Sequence, residues 1–343
     1  MAVLRRVQEP PINGGSYIVD RMDGEIFTLP GSKGAFRMYC SQVQTGNTMS
    51  VFGWDGPVSD QSYHYHKKTH DIFLNAEGLM KIYCDGQSRI LGPGDFASVP
   101  PGLIHKPTPL GPITKALPLI TPADWVEAFR VTSDPYKGVM FPEYDNQWSW
   151  GAMKRLGENW EDKYDSYPTP VENPPEPNSW SKEDTILPDE PVGYFLKANS
   201  GPRWVLGGIS SRPFITTKQS FGKCAISSIE SSKLYKKSAF SREMRFATVH
   251  HLLVLFEGRI DVAINNGPKV TVYAGEVVFL EADTTFTIEF LTKYVKFWSY
   301  ASGDGLESII QKAGVRNDSQ ALPDAPFAVD DVKLDEALAE ISQ

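Results

Sequence analysis

The feature that most constrains the fold is a pattern of short β-rich runs separated by turn residues, which occurs twice, at about residues 15–130 and 194–302. Glycines punctuate both copies alike: Gly78 is followed after 16 residues by Gly94, and Gly258 after 17 residues by Gly275. Evenly spaced short strands with such turns are typical of antiparallel sandwiches and barrels. We therefore predict an all-β chain that contains the same barrel twice.

Composition shifts divide the chain into four parts. The stretch 148–191 is rich in Pro, Glu, Asp and Trp, and we predict a packed connector there rather than a free linker. Two helical patterns follow the second barrel, and the first of them ends at Gly314. The predicted parts are a first barrel at 1–147, the connector at 148–191, a second barrel at 192–303 and a helical tail at 304–343.

The charge balance excludes some classes of partner. The chain has 34 Lys and Arg against 42 Asp and Glu, a formal net charge of -8, so nucleic acid is not an expected partner. No run approaches the ~18 apolar residues of a membrane helix, and the first residues do not resemble a secretory signal. Three scattered cysteines form neither a disulfide nor a zinc pattern. We expect a cytoplasmic protein that acts on a small molecule and does not bind membranes.

Histidines are concentrated in the first repeat, which holds four of the six in the chain. Alternate residues of a strand share one face, so His64 and His66 can converge on one ion inside a barrel. His105 follows a Pro-Pro-Gly turn and begins another predicted strand, from which a third imidazole can approach. Three imidazoles, one oxygen ligand and an open position are typical of a catalytic metal centre.

These residues resemble the two motifs of the cupin superfamily. The second motif (Gly, five residues, Pro-x-Gly, two residues, His) is matched in full by Gly94, Pro100, Gly102 and His105. The first motif (His-x-His, then Glu, then Gly) is matched by His64, His66 and Gly78, with Asp71 at the Glu position. The resemblance implies two cupin barrels (double-stranded β-helix, jelly-roll), with the metal site in the N-terminal one.

The chain also resembles fungal-type quercetin 2,3-dioxygenases over nearly its whole length. The similarity includes the Pro-rich connector and the segments at 193–203 and 302–306. It implies one divalent transition metal in the N-terminal cupin (Fe, Cu, Ni, Mn or Zn) and dioxygen as co-substrate, which cleaves the flavonol heterocycle with loss of carbon monoxide. It carries the ligand positions to His64, His66, His105 and Asp71, and gives Asp71 the catalytic role of base for the flavonol hydroxyl.

The second repeat differs at every ligand position. Counting from its glycines, the two His-x-His positions, the carboxylate position and the third His position hold Met244, Phe246, His251 and Phe286. We expect no metal at this site and a structural role for the second barrel.

Two further predictions concern the surroundings of the site. His70 can replace Asp71 as fourth ligand if the motif spacer is one residue shorter, but on a strand it faces away from Asp71, which favours a surface histidine. Strand parity gives the candidate substrate-binding residues Phe36, Met38, Phe52, Trp54 and Phe73, for which ordinary core packing is the alternative. If they line a cavity, the substrate is flat and aromatic.

Three functions remain open at this point. The first is a metal-dependent dioxygenase that acts on a planar hydroxylated aromatic or enolic substrate, such as a flavonol or an aromatic polyketide. The second is a non-oxidative metal cupin of secondary metabolism, an isomerase, cyclase or lyase. The third is a non-catalytic bicupin that binds a small aromatic ligand. A homodimer is expected because cupins frequently dimerise.

Overall fold

A computed structural model of the chain describes residues 3–28, 34–57, 62–143, 152, 154–236 and 238–342. The chain divides into two units, Met22–Ser200 and Met1–Arg21 together with Gly201–Gln343. Each unit contains two β-sheets, and the predicted all-β fold is confirmed. No helix among the described residues combines the length and apolarity needed to cross a membrane.

In the unit Met22–Ser200, the larger sheet has the strand order Asp134–Pro135, Glu25–Thr28, Ala35–Cys40, Ser50–Gly56, Thr114–Ala116, His70–Glu77, Phe96–Val99 and Tyr194–Leu196, and Leu119–Thr121 pairs with Ser50–Gly56 and His70–Glu77. The smaller sheet has the order Tyr167–Pro168, His64–Tyr65, His105–Pro109, Met80–Cys84 and Gln87–Leu91. Short helical segments complete the unit, at Gln42–Thr45, Asp124–Val126, Glu127–Thr132, Trp160–Lys163 and Glu183–Thr185. Apolar side chains from both sheets form a core that includes Phe36, Ile82 and Val99.

The second unit repeats this arrangement. Its larger sheet has the order Arg5–Val7, Tyr17–Asp20, Glu276–Leu280, His251–Glu257, Val295–Ala301, Ala225–Ser231, Ile209–Ile215, Trp204–Leu206 and Val315–Arg316. Its smaller sheet has the order Met244–Arg245, Thr285–Phe290, Arg259–Ile264 and Val270–Tyr273. The helices Leu306–Ala313 and Asp331–Ile341 follow, as the sequence predicts, and a short helical turn lies at Ala239–Ser241.

The repeated glycines explain why both copies turn at the same place. Gly78 and Gly258 each join two successive strands of their unit, with φ of +71° and +81°. A β-carbon would lie 2.0 Å from the Ile113 carbonyl oxygen at Gly78 and 2.3 Å from the Tyr294 carbonyl oxygen at Gly258. Glycine adopts a positive φ readily and has no β-carbon to clash with the nearby carbonyl oxygen. The equal spacing of these glycines in the two repeats therefore reflects the same turn in both units.

Both ends of the predicted first barrel need correction. The strand Tyr17–Asp20 pairs with Glu276–Leu280 and belongs to the second unit, whereas the sequence pattern predicts that residues 1–147 form the first barrel. Tyr194–Leu196 pairs with Phe96–Val99 in the first unit, whereas the sequence pattern predicts that residues 192–303 form the second barrel. In each case an apolar strand pairs with the edge strand of a sheet whose residues lie far away in the sequence. The local sequence pattern does not indicate which edge a strand will pair with.

The connector belongs to the first unit. Its strand Tyr167–Pro168 pairs with His64–Tyr65, the strand that carries the first histidine of the motif. The predicted boundary between residues 147 and 148 lies outside the described residues, so the domain limits there stay a prediction.

Candidate metal centre

Four side chains of the first unit converge in its interior. His64 lies on the strand His64–Tyr65 and is the cross-strand partner of His105, which begins the strand His105–Pro109. His66 directly follows the first of these strands, and Asp71 is the second residue of His70–Glu77. One ligand atom from each of the four residues lies within 4.8 Å of the others.

The hydrogen bonds of the three imidazoles determine which nitrogen faces the centre. Each Nδ1 contacts a backbone carbonyl oxygen: the Nδ1–O distances are 2.9 Å from His64 to Ser62 and 3.1 Å from His105 to Leu103, and His66 bonds to Asp165. Because a carbonyl oxygen can only accept, each Nδ1 carries the hydrogen when the ring is neutral. Each Nε2 is then left with a lone pair, the form that a metal requires.

Asp71 completes the group from the opposite sheet. Its Oδ2 lies 3.3 Å from His66 Nε2 and 3.2 Å from His105 Nε2. Burial alone raises the pKa of this carboxyl, but the charge of His66 and hydrogen bonds from His105 and His66 outweigh burial and hold the pKa well below its usual range. Asp71 is therefore ionised at neutral pH.

The pKa values of two imidazoles shift in opposite directions. Burial, followed by repulsion from His105 and His66, lowers the pKa of His64 well below its usual value. Burial also opposes protonation of His66, but the charge of Asp71 and the hydrogen bonds to Asp71 and to the Asp165 backbone together outweigh burial and raise the His66 pKa. His64 is thus a neutral nitrogen donor at neutral pH.

The donor atoms fit a divalent transition metal. Asp71 Oδ1 is buried and has no hydrogen-bond partner, a condition that costs free energy unless a cation or another polar group is present. Three imidazole nitrogens and one carboxylate oxygen suit iron, copper, nickel, manganese or zinc. Although Asp71 is one methylene shorter than the Glu of the motif, it reaches the same group of atoms.

His70 lies outside this group, and the expectation of a surface position for it is wrong. Its side chain is buried on a central strand, and Nε2 lies 2.7 Å from Ser98 Oγ. The strand His70–Glu77 lies in the interior of its sheet, paired along one edge with Phe96–Val99 and along the other with Leu119–Thr121, and the side chain of His70 is fully buried there. Strand alternation, which directs His70 away from Asp71, operates here as expected.

A cavity of about 60 Å³ is lined in part by His64 and Asp71. Its lining is almost wholly apolar and includes four of the five predicted substrate-binding residues, Phe36, Phe52, Trp54 and Phe73. Met38, the fifth, does not line it. Met38 is fully buried and packs in the hydrophobic core of the unit, which is the core-packing alternative for this residue.

Aromatic residues that strand parity could not identify close the cavity. Trp125 lies on the short helical segment Asp124–Val126, and its ring centroid is 5.2 Å from that of His66. Phe129, four residues later, packs against Phe36 at 4.6 Å between centroids. The i, i+4 spacing of Trp125 and Phe129 is typical of one helix face, and this spacing is the feature of the sequence that could have identified the pair. Pro107, Pro118 and Ile120 complete the apolar lining.

Solved structures share the fold of this chain across both units. The Ylba protein of E. coli aligns with a TM-score of 0.54 at 9% identity, covering 84% of this chain and 91% of that one. Oxalate decarboxylase of Lactobacillus farciminis aligns with a TM-score of 0.51 at 12% identity, covering 84% and 86%. With the repeated motif and the two barrels, these alignments decide the architecture. The chain has the bicupin fold, two cupin barrels in one chain.

This bicupin also resembles a quercetinase in sequence. It is 31% identical over 142 residues to quercetin 2,3-dioxygenase of Bacillus subtilis. The match spans 41% of this chain and 42% of that protein, less than half of the relative's length. No established family profile matches the chain.

The second barrel of the bicupin has different chemistry at the equivalent positions. His251 is buried between two phenylalanines, with ring centroids 4.3 Å from Phe246 and 5.8 Å from Phe286. Burial, followed by the charge of His250, lowers the pKa of His251 to about 3. Burial raises the pKa of Glu307, from the following helix, to about 7. His251 Nε2 and Glu307 Oε2 both lack hydrogen-bond partners.

Proposed function

We propose that the first cupin holds one divalent transition metal and that the protein is a metal-dependent enzyme, a dioxygenase acting on a planar hydroxylated aromatic or enolic substrate. The observation that carries the proposal is the convergence of His64, His66, His105 and Asp71 beside an aromatic cavity. When bound, the metal would supply Lewis acidity toward the substrate oxygen and one-electron chemistry toward dioxygen.

The protein's own residues have distinct tasks in this proposal. His64, His66 and His105 would hold the metal through their Nε2 atoms. Asp71 Oδ1 has no other partner, so in this proposal it would be the atom that receives the proton of a substrate hydroxyl. The aromatic walls would hold a flat ring and exclude water from the reacting atoms.

The size of the cavity restricts the substrate. About 60 Å³ corresponds to roughly two water-sized molecules, whereas pockets for drug-sized ligands measure about 300 Å³ or more. A three-ring flavonol therefore requires that Trp125 and Phe129 move. The same observation favours a second candidate function, a non-oxidative metal cupin with a smaller enolic substrate.

Metal analysis tests the proposal first. Wild-type protein, a His64→Ala/His66→Ala variant and a matched His250→Ala control would be purified with metal supplied and analysed for bound elements. We expect about one equivalent per chain in wild type and control, and a loss in the double variant. Equal metal content in all three would refute the site.

Oxygen consumption then separates the two functions. A metal-loaded protein that consumes oxygen with a flavonol or a single-ring enol supports the dioxygenase. Conversion of a substrate without oxygen uptake supports the non-oxidative alternative. A homodimer and the identity of the metal stay predictions.

A further inference from the structure

One connector residue contacts the metal-site loop with both its main chain and its side chain. Asp165 follows the helix Trp160–Lys163 and is 6% exposed. Its φ of +50° is in the left-handed region, which Asp adopts more readily than most residues. This conformation lets its carbonyl oxygen and its carboxylate face the same loop, residues 66–69.

The carboxylate of Asp165 accepts hydrogen bonds from three successive backbone N–H groups. Oδ1 lies 2.9 Å from the Lys67 nitrogen, and Oδ2 lies 2.8 Å and 2.9 Å from those of Lys68 and Thr69. The Thr69 hydroxyl adds a fourth bond at 3.0 Å. Consecutive N–H groups directed into one concavity form an anion-binding nest, and here the anion is a side chain of the protein itself.

The same residue orients a candidate ligand. The carbonyl oxygen of Asp165 accepts a hydrogen bond from His66 Nδ1, which leaves Nε2 pointing toward Asp71. The loop held by the carboxylate begins at His66 and ends two residues before Asp71. Asp165 therefore controls the ring orientation of one ligand and the backbone separation of two.

We propose that Asp165 is a positioning residue of the metal centre: it sets the distance and orientation between His66 and Asp71 and so raises metal affinity. This inference rests on the proposed metal site of the first cupin. Outer partners of metal ligands typically contribute about 10- to 100-fold in metal affinity.

A second connector carboxylate provides a matched control. Asp184 is 5% exposed and bonds to Arg89 and to the backbone nitrogen of Ser181. It is as buried as Asp165 and anchors the same connector, but none of its bonds reaches the loop 66–69. A general effect of connector docking would appear in both Asn variants, whereas positioning would appear only at Asp165.

The test is a titration with Co²⁺ of three metal-free proteins: wild type, Asp165→Asn and Asp184→Asn. The visible absorption of the bound Co²⁺ reports binding. Asn can keep the left-handed backbone and the hydrogen bond between its carbonyl oxygen and His66. Its side-chain NH2 group, however, is a donor and cannot accept hydrogen bonds from the backbone N–H groups of residues 67–69. We expect Asp165→Asn to bind Co²⁺ about 10- to 100-fold more weakly, with an altered absorption spectrum. Asp184→Asn should match wild type in both.

Four results would overturn the inference, and each contradicts a different step of it. Wild-type affinity and spectrum in Asp165→Asn would refute positioning while leaving the metal site intact. Equal losses in both Asn variants would show a general stability effect. Wild type that binds no Co²⁺ would refute the proposed metal site as well. If Asp165→Asn does not fold, Thr69→Val removes one bond to the same carboxylate, and wild-type Co²⁺ binding by that variant would refute the inference.

Discussion

Glu307 makes the stability of the second cupin depend on pH in a direction that can be calculated. Its carboxyl is 1% exposed, and Oε1 accepts a hydrogen bond from the Gly305 nitrogen at 2.7 Å, while Oε2 has no partner. A β-carbon on Gly305 would lie 2.8 Å from Glu307 Oε2 and 3.3 Å from His251 Nε2, so the two atoms flank the space that this glycine leaves. Burial raises the pKa of Glu307 from 4.5 to about 7.

The sign follows from proton binding in the two states. Between pH 4.5 and 7 the folded protein keeps the Glu307 proton, whereas the unfolded chain has released it. The free energy of unfolding therefore falls as the pH rises through this window, and the loss is complete above about pH 7. At about 1.36 kcal/mol per pH unit, the full effect is about 3 kcal/mol.

Replacing Glu307 with Gln should remove this dependence, because Gln stays neutral and keeps an acceptor for the Gly305 nitrogen. The variant should match wild type near pH 4.5 and be more stable by about 3 kcal/mol at pH 8. Urea denaturation at both pH values measures the difference. The titration of His251, which weakens the fold as the pH falls below 6.5, occurs in both proteins and cancels.

The exposed Glu336→Gln variant is the control, and its difference from wild type should not change with pH. A constant difference between Glu307→Gln and wild type at the two pH values would show that Glu307 is ionised in the folded protein. The account of its burial would then be wrong.

Other predictions concern the first cupin. Asp71→Asn removes the only carboxylate of the group and should lower metal affinity at least about 10-fold, measured by competition with a chelator; unchanged affinity would remove Asp71 from the ligand set. Phe129→Ala should widen the cavity and strengthen binding of two- and three-ring phenols, followed by tryptophan fluorescence; no gain would exclude Phe129 as the restriction. Asp55→Ala leaves Arg37 buried without its ion pair, which is 3.0 Å long, and should cost about 3–5 kcal/mol in urea denaturation. A loss below about 1 kcal/mol would contradict that estimate.

The local sequence determined the repeated architecture and the core of the candidate site. Gly78 and Gly258 are required by positive φ and close backbone contact, so their spacing is visible without a structure. The alternation of His64 and His66 and the turn before His105 are likewise local, and the structure brings these residues together with Asp71. Such patterns are readable because a strand's period and a turn's backbone depend on neighbouring residues only.

Tertiary structure alone decided what depends on distant contacts. The strand Tyr17–Asp20 joins the second unit because it pairs with Glu276–Leu280. Nothing in the sequence near residues 17–20 indicates this partner. His70 is buried in the assembled sheet, where its Nε2 lies 2.7 Å from Ser98 Oγ of the neighbouring strand, and Asp165 reaches the loop 66–69 from almost 100 positions away. The hydrogen-bonding groups of a sheet edge, and those of the residues around a site, are paired by segments that lie far away in the sequence. Which segment pairs with them is therefore decided only when the whole chain has folded.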